Sequence, residues 1–170
     1  MNALALEELA LAPGDRFLEI GFGGGALLRA AEAAGAEVSG VDLSGAMVDR
    51  ATGMDVHLAS AEALPFADGS FHKAASLNSL YFWPDLPGAL GELARVIVPG
   101  GTLLLGFEPP EELRKWPGHR HGFRLYEAEE LVRLAAAAGF GNPHIAEGRG
   151  RKPDRFLCLS LERLPDKQPQ

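Results

Sequence analysis

The sequence predicts an α/β protein whose sheet is doubly wound and mostly parallel. Short apolar runs alternate with helical segments along the chain, which is the pattern of a parallel sheet covered by helices. A glycine-rich loop over residues 21–25 separates the first apolar run from the first helical segment. The chain has 170 residues, a length that fits one domain with a core of its own. We therefore expect a single domain over residues 1–170.

The first half of the chain alternates between strand and helix signals. A turn at Pro13-Gly14-Asp15 precedes the first apolar run, and Gly35 ends the first helix. Ser44 belongs to the residue types that cap helix N-termini, so a short helix is expected after it. The predicted strands cover 16–20, 37–41 and 56–59, and the predicted helices cover 25–34 and 44–51.

The second half continues this alternation and ends in two further strands. The run 102–107 is apolar on both faces, as expected of a buried parallel strand, and Pro99-Gly100-Gly101 predicts a tight turn before it. The segment 108–125 has no clear periodicity, and we expect a loop over the carboxyl ends of the strands, where doubly wound sheets bind ligands. The predicted strands cover 73–77, 102–107, 144–147 and 156–161, and the predicted helices cover 85–96 and 127–138.

The charge of the chain argues against a broad nucleic-acid-binding surface. The formal net charge is −7, with 46% hydrophobic and 23% charged residues, whereas nucleic-acid binding needs clustered lysine and arginine. One basic cluster is present, and we interpret it as a solvated loop. It consists of Arg149, Arg151, Lys152 and Arg155.

Cysteine usage and the N-terminal residues indicate a cytoplasmic protein. Cys158 is the single cysteine, so no intrachain disulfide is possible, and its apolar neighbours indicate a core residue rather than a nucleophile. The N-terminal residues have neither a basic region nor a long apolar stretch, so no signal peptide is expected. No apolar stretch is long enough to cross a bilayer, and we expect no membrane partner.

The glycine-rich loop is the first candidate binding site. Glycines permit positive φ angles and let a ligand approach the backbone, and the N-terminus of the following helix offers unpaired N–H groups. Asp42 ends the second predicted strand about 20 residues beyond Gly21, where an acidic side chain accepts hydrogen bonds from ribose hydroxyls. These features predict a ligand that contains a nucleoside.

Two classes of ligand fit this loop. Gly21, Gly23 and Ala26 satisfy the pattern G-x-G-x-x-A, which favours a nicotinamide or flavin dinucleotide and hence an oxidoreductase. Glu19 lies two residues before Gly21, and a carboxylate there suits a cationic ammonium or sulfonium better than a pyrophosphate. The loop alone leaves both classes open, and Glu19 favours the cationic ligand.

Further motifs follow the loop in order along the chain. Glu19-x-Gly21-x-Gly23-x-Gly25 is followed by Val41-Asp42-Leu43-Ser44, and then by segments at 61–66, 68–71, 92–96, 99–101 and 125–140. Together these motifs, over about residues 12–162, resemble those of class I S-adenosylmethionine-dependent methyltransferases, and most closely the members that act on small molecules.

That resemblance implies a Rossmann-like sheet of seven strands, mostly parallel with the last antiparallel, and S-adenosyl-L-methionine as the cofactor. It also implies where each part of the cofactor binds. The implied cofactor-binding residues are Glu19, Gly21, Phe22, Gly23 and Gly25 for the methionine part, Asp42 for the ribose, Leu43, Ala61 and Glu62 for the adenine, and Asn78 near the methionine amino group and the reacting methyl.

Three departures from the family pattern bear on activity. Ser60 and His72 stand where many relatives have aspartate, and the segment 49–54 is short, so the second predicted helix is truncated. A weaker adenine contact is one consequence. The departures leave open, as an alternative, a domain that keeps the cofactor pocket or the fold without catalysing.

Methyl transfer is an in-line displacement in which the protein mainly aligns the reactants, so a general base is needed only for a protonated acceptor. Tyr81 begins an aromatic run over 81–83 whose faces suit a flat substrate or a sulfonium, although packing under the next helix is the alternative. His119 and His121 are candidate bases, with a solvated loop as the alternative. We name Tyr81, His119 and His121 as candidate catalytic residues. No carboxylate or cysteine near the histidines completes a metal site, so no metal is expected.

Three functions follow from these observations. The first is an enzyme that methylates a small-molecule acceptor as a monomer or a homodimer. The second is a dinucleotide-dependent oxidoreductase, against which Glu19 argues. The third is a non-catalytic or partner-dependent domain, because this fold hosts many functions.

Overall fold

A single seven-stranded sheet organises the computed structural model, which describes residues 1–120, 122–150 and 155–166. The strands are β1 (Arg16–Ile20), β2 (Glu37–Asp42), β3 (Asp55–Leu58), β4 (Phe71–Leu77), β5 (Ile97–Phe107), β6 (Phe140–Arg149) and β7 (Arg155–Arg163). Their spatial order is β3-β2-β1-β4-β5-β7-β6. The first five strands are parallel, and β7 is antiparallel to both of its neighbours. The predicted Rossmann-like architecture is confirmed.

Helices cover both faces of the sheet within the described ranges. They are α1 (Asn2–Leu9), α2 (Ala26–Ala33), α3 (Gly45–Arg50), α4 (Leu86–Val96), α5 (Pro110–Leu113) and α6 (Ala128–Ala137). Two 3-10 turns, Leu80–Phe82 and Pro117–Arg120, follow β4 and α5. In that part of the chain none of the helices has the length and apolar character needed to span a membrane.

The two faces of the sheet bury separate hydrophobic clusters. Side chains alternate along a strand, so Leu18 of β1 belongs to the cluster on one face and Phe17 to the cluster on the other. The Leu18 face packs against α4 through Leu90, and the Phe17 face packs against α1 and α2 through Leu9 and Leu27. All five side chains are at most 1% exposed, so burial of both faces stabilises the central strand.

Helix α1 was not expected from the sequence. Residues 3–6 are all apolar, so the segment has no apolar stripe at helical spacing. Only Ala5 and Leu9 are fully buried, and they lie four residues apart on one side of the helix. Packing against α2 and the sheet therefore selects the buried side of this helix.

Strand β5 starts five residues earlier than predicted. The Pro99-Gly100-Gly101 segment lies inside the strand, although Gly100 has the positive φ of a turn residue, at 81°. Phe71 pairs with Ile97, but Lys73 pairs with Thr102, so these residues form an irregularity in the ladder. The predicted tight turn is wrong as a strand boundary, because the residues before it still pair with β4.

The other boundaries differ by shorter amounts. The segment 108–125, predicted as a loop, contains α5 and the 3-10 turn Pro117–Arg120. Strand β6 is ten residues long, although only 144–147 was predicted, because a pairing irregularity between Gly141 and His144 interrupts its pattern.

The parallel strands bring the candidate site residues to one edge of the sheet. The backbone N–H of Gly21, just after β1, donates to the Val41 carbonyl of β2 at 2.7 Å. The N–H of Asn78, just after β4, donates to the Gly106 carbonyl of β5 at 2.8 Å. These bonds extend the ladder into the loops and fix their starting positions.

Candidate active site

The glycine loop adopts a backbone that other residues do not tolerate. Gly21, Gly23 and Gly25 have φ angles of 70°, 51° and 68°. A Cβ atom on Gly21 would lie 2.3 Å from Ser79 Oγ, so the loop after β1 touches the segment after β4. This close approach requires glycine at position 21.

Asp42 joins the end of β2 to the glycine loop. One carboxylate oxygen accepts the N–H of Gly23 and the other accepts the N–H of Ser44, both at 2.9 Å. Ser44 is the N-cap residue of helix α3, as predicted, but its side chain makes no capping bond. Each carboxylate oxygen keeps a further lone pair, which is what a ribose diol needs.

Glu19 is a buried carboxyl beneath the glycine loop. It is 4% exposed, and its Oε2 accepts the backbone N–H of Leu28 in α2 at 3.1 Å. Burial raises the pKa of this carboxyl to about 8; the Leu28 hydrogen bond opposes the shift and the nearby Asp42 charge adds to it. The neutral form is therefore favoured near pH 7 until a cation approaches.

Two cavities meet at the junction of the loops after β1 and β4. The larger, of about 410 Å³, and the smaller, of about 270 Å³, share Gly21 and Asn78 in their linings. The larger is lined by Ile20, Gly21, Val41, Asp42, Leu43, Ser44, Ala59, Ala61, Asn78, Ser79, Phe82 and Trp83. The smaller is lined by Met1, Asn2, Glu19, Gly21, Phe22, Gly23, Gly24, Ala26, Leu27, Leu77 and Asn78.

The two cavities divide most of the predicted cofactor-binding residues between them. Asp42 with the apolar Leu43 and Ala61 lies in the larger, and Glu19 with the loop glycines lies in the smaller. Among the described residues, these two linings do not include Gly25 or Glu62. The Glu62 carboxylate instead accepts the backbone N–H of Asp85 at 3.3 Å.

Asn78 lies where the two cavities join. Its φ angle of 54° is unusual for a residue other than glycine, and such strain persists where surrounding contacts hold it. The Asn78 amide oxygen accepts the Tyr81 hydroxyl at 3.4 Å, and its N–H is bound by Gly106. The side chain is thus held between the two halves of the site.

The site chemically fits S-adenosylmethionine. Leu43, 63% exposed, offers an apolar surface to an adenine, and Asp42 offers acceptors to a ribose. The smaller cavity offers the glycine-loop backbone to polar groups and the Glu19 carboxyl to a cation.

The aromatic run after β4 divides into buried and exposed side chains. Tyr81 is 2% exposed, and its hydroxyl accepts the backbone N–H of Glu108, while burial raises its pKa above the ordinary value. Trp83 is buried and its indole N–H donates to Ser79 Oγ at 3.1 Å. Phe82 is 52% exposed and lines the larger cavity. Of the three, Phe82 is the one that offers a face to a ligand.

Little of the two candidate histidines belongs to the part of the chain that the structure describes. His119 belongs to the 3-10 turn Pro117–Arg120, but its side chain lies outside the described part of the chain. His121 lies outside the described residues altogether. Their proposed role as bases stays a prediction. In the described part, no group of three or more His, Cys, Asp or Glu side chains is placed to hold a metal.

His72 lies away from this edge, and Cys158 is a buried residue of the sheet. His72 Nδ1 accepts the backbone N–H of Arg16 at 3.1 Å, at the start of β1 and β4 rather than at their carboxyl ends. Cys158 is fully buried in β7, and burial raises the pKa of its thiol to about 11. In the basic cluster, Arg155 pairs with Glu147 at 3.0 Å, whereas Arg151 and Lys152 lie outside the described residues.

Three residues near the site were missed from the sequence. Ser79 contacts the glycine loop, and the Phe123 ring stacks on the Tyr81 ring with centroids 5.4 Å apart. The backbone N–H of Glu108 donates to the Tyr81 hydroxyl. Glu108 directly follows β5, as Asn78 follows β4, and that position was the available signal. Phe123 had no comparable signal, because only tertiary packing brings it to Tyr81.

Comparison with known proteins finds similarity to methyltransferases. Residues 18–105 match the family described as "Methyltransferase domain". A 27-O-demethylrifamycin SV methyltransferase of Amycolatopsis mediterranei is 39% identical over 109 residues, or 58% of this chain and 40% of that protein. A demethylmenaquinone methyltransferase of Thermus thermophilus is 40% identical over 118 residues, or 63% of this chain and 52% of that protein. The chain thus spans about half or less of the length of these relatives.

A solved structure supports the fold over nearly the whole chain. It is a S-adenosylmethionine-dependent methyltransferase of Thermotoga maritima, described as a possible histamine N-methyltransferase, with 24% identity. The two structures superpose with a TM-score of 0.79 over 95% of this chain and 87% of that one. At this identity, the likeness concerns the fold.

Proposed function

Because the chain belongs to the methyltransferase-domain family, we propose that it is an S-adenosylmethionine-dependent enzyme that methylates a small-molecule acceptor by in-line displacement. The observation that supports this most directly is the pair of cavities joined at Gly21 and Asn78, with Asp42 in one and Glu19 in the other. This arrangement suits one elongated ligand with a diol at one end and a cation at the other. Family membership sets aside the dinucleotide oxidoreductase.

The cofactor supplies a sulfonium-bound methyl group that is already electrophilic, so this chain's residues mainly bind and orient. We infer that Asp42 orients the ribose hydroxyls and that Leu43 and Ala61 enclose the adenine. Glu19 would balance the positive charge of the methionine part in a site of low dielectric constant. Asn78 would hold the region where the two parts of the ligand meet.

A small acceptor is supported by the surroundings of the larger cavity and by two relatives. The exposed Phe82 on the lining of that cavity offers a flat apolar surface of limited size. The two relatives are named for demethylrifamycin and demethylmenaquinone, which are small organic molecules. Methylation of a small organic acceptor is therefore the proposed activity.

Calorimetric titration with S-adenosylmethionine and with S-adenosylhomocysteine tests the cofactor site. Asp42→Ala removes the ribose acceptor and the two bonds that hold the loop, so we expect affinity to fall at least about 100-fold. Asp49→Ala, an exposed aspartate on α3, is the matched control and should bind like the wild type. Equal binding by the wild type and Asp42→Ala would contradict the proposed site.

Turnover is measured separately from binding. Incubation of the holoprotein with pooled small organic acceptors should give S-adenosylhomocysteine above the acceptor-free rate. If the cofactor binds but no acceptor class raises that rate, the proposed small-molecule activity is wrong, and the partner-dependent alternative is favoured.

A further inference from the structure

The start of helix α1 forms part of the wall of the smaller cavity. Met1 and Asn2 line this cavity together with Glu19 and the loop glycines, and neither of them lines the larger cavity. Helix α1 precedes the segment 18–105 that matches the methyltransferase domain. The wall of the smaller cavity therefore includes a part of the chain that the family match does not cover.

Contacts at both ends of helix α1 fix its position on the sheet. At the end of the helix, Leu9 is fully buried, and the Lys73 ammonium donates to the Leu9 carbonyl at 2.6 Å. At the start, a Cβ atom on Gly106 would lie 3.0 Å from Met1 Sδ, so the first residues of α1 lie against the end of β5. Asn2 is thus held at the cavity by contacts within the protein that need no ligand.

The smaller cavity offers few groups to an anion. Among the described residues that line it there is no basic side chain, and Asn2 and Asn78 are the only ones with a side-chain N–H group. Backbone N–H groups of the glycine loop are partly used, because three of them already donate within the protein. These are the N–H groups of Gly21, Gly23 and Gly25. An anionic ligand group in this cavity therefore depends on the side-chain amides.

The Asn2 side chain can donate to such a group. It is exposed, and its amide makes no hydrogen bond within the described part of the chain, whereas the Asn78 amide already accepts the Tyr81 hydroxyl. An asparagine amide carries two N–H donors. Hydrogen bonds from such donors to a carboxylate are stronger than those between neutral groups. Asn2 therefore has the chemistry to bind a carboxylate.

Resting on the proposed methyl transfer, we propose that Asn2 is a cofactor-binding residue whose amide donates to the carboxylate of S-adenosylmethionine. The methionine part of this cofactor carries an ammonium and a carboxylate, which need partners of opposite kinds. Glu19 is the acidic partner for the positive charge, and Asn2 supplies donors for the negative one. A lysine or arginine in place of Asn2 would compete with the cofactor for Glu19, whereas a neutral amide does not.

Calorimetry with three ligands that differ in the methionine part tests this proposal without turnover. S-adenosylmethionine carries the carboxylate, decarboxylated S-adenosylmethionine lacks it but keeps the sulfonium and the ammonium, and methylthioadenosine keeps only the nucleoside and a neutral sulfur. Asn2→Ala removes a hydrogen bond to a charged group, so we expect it to weaken binding of S-adenosylmethionine about tenfold. The other two ligands should bind to it like the wild type.

A second variant, Asn2→Asp, changes the sign of the interaction. Its carboxylate should repel the carboxylate of S-adenosylmethionine, which we expect to bind more weakly than to Asn2→Ala. The decarboxylated ligand is a cation and should bind at least as tightly as to the wild type. Glu7→Ala, at an exposed position of the same helix outside both linings, is the matched control and should bind all three ligands like the wild type.

The deciding quantity is the ratio of the affinities for S-adenosylmethionine and its decarboxylated form within one protein. A ratio in Asn2→Ala and Asn2→Asp equal to that of the wild type would overturn the inference, whether the variants weaken all ligands or none. Asp42→Ala should instead weaken methylthioadenosine as well, because it acts on the ribose. A wild type that binds neither S-adenosylmethionine nor methylthioadenosine overturns the proposed function as well as the role of Asn2.

Discussion

Cofactor binding should be linked to a proton on Glu19. With a pKa of about 8 in the ligand-free protein, the carboxyl is ionised in only about 1% of molecules at about pH 6 and in about 90% at about pH 9. If the cationic cofactor selects the ionised form, its apparent affinity falls in proportion to that fraction. The expected difference between the two pH values is therefore up to about 100-fold.

Calorimetry with S-adenosylmethionine measures this linkage. At about pH 7 the neutral carboxyl must ionise on binding, so about one proton should be released per cofactor, as seen from the dependence of the heat on the buffer. Glu19→Gln keeps an acceptor for the Leu28 N–H but has no proton to release. The amino group of the cofactor also titrates, but it does so with both proteins, so their difference isolates Glu19.

The same carboxyl should affect the free energy of unfolding. Its folded pKa lies above its unfolded value of 4.5, so between about pH 5 and 8 the folded state binds more protons and stability falls as pH rises. In this window the free energy of unfolding of the wild type, relative to that of Glu19→Gln, should fall by up to about 1.4 kcal/mol per pH unit. Urea denaturation at several pH values measures it. If stability and cofactor affinity depended on pH in the same way in the wild type and in Glu19→Gln, the assignment of a buried neutral Glu19 would be refuted.

Three further substitutions test the loop, the adenine-side segment and the core. Gly21→Ala, with φ at 70° and Ser79 Oγ 2.3 Å from the new Cβ, should abolish calorimetric cofactor binding. Gly91→Ala, at an exposed glycine of α4 with open space around it, should bind normally. Arg95→Leu breaks charged hydrogen bonds that hold the segment 64–68, and should lower the urea unfolding free energy by about 2 kcal/mol; no change would show that packing alone holds it. Leu104→Ala, at a fully buried position in β5, should cost about 3–5 kcal/mol in the same assay, and a cost under about 1 kcal/mol would contradict the close packing of this face.

Local patterns were sufficient for the parts of the site that follow the chain. The strand 16–20, the glycine loop and helix α2 were predicted because apolar alternation, positive-φ glycines and helix ends are properties of neighbouring residues. Asp42 was predicted because the end of a parallel strand lies at the ligand-binding edge. These features need no knowledge of distant contacts.

Other boundaries depended on partners elsewhere in the chain. Helix α1 has no apolar stripe, so only its contacts with α2 and the sheet identify the buried side. Pro99-Gly100-Gly101 has the composition of a turn, yet pairing of the preceding residues with β4 places it inside β5. Pairing energy between strands overrode the local preference there.

The sequence by itself determined the fold class, the glycine loop and the acidic residue at the end of β2, because each depends on residues close together along the chain. Only the tertiary structure decided which aromatic side chains are available. Tyr81 is buried with its hydroxyl bound, while the next residue, Phe82, is exposed on the cavity. It also brought Glu108 and Phe123 to Tyr81. Burial and hydrogen bonding between distant segments set these roles, and no local spacing rule encodes them.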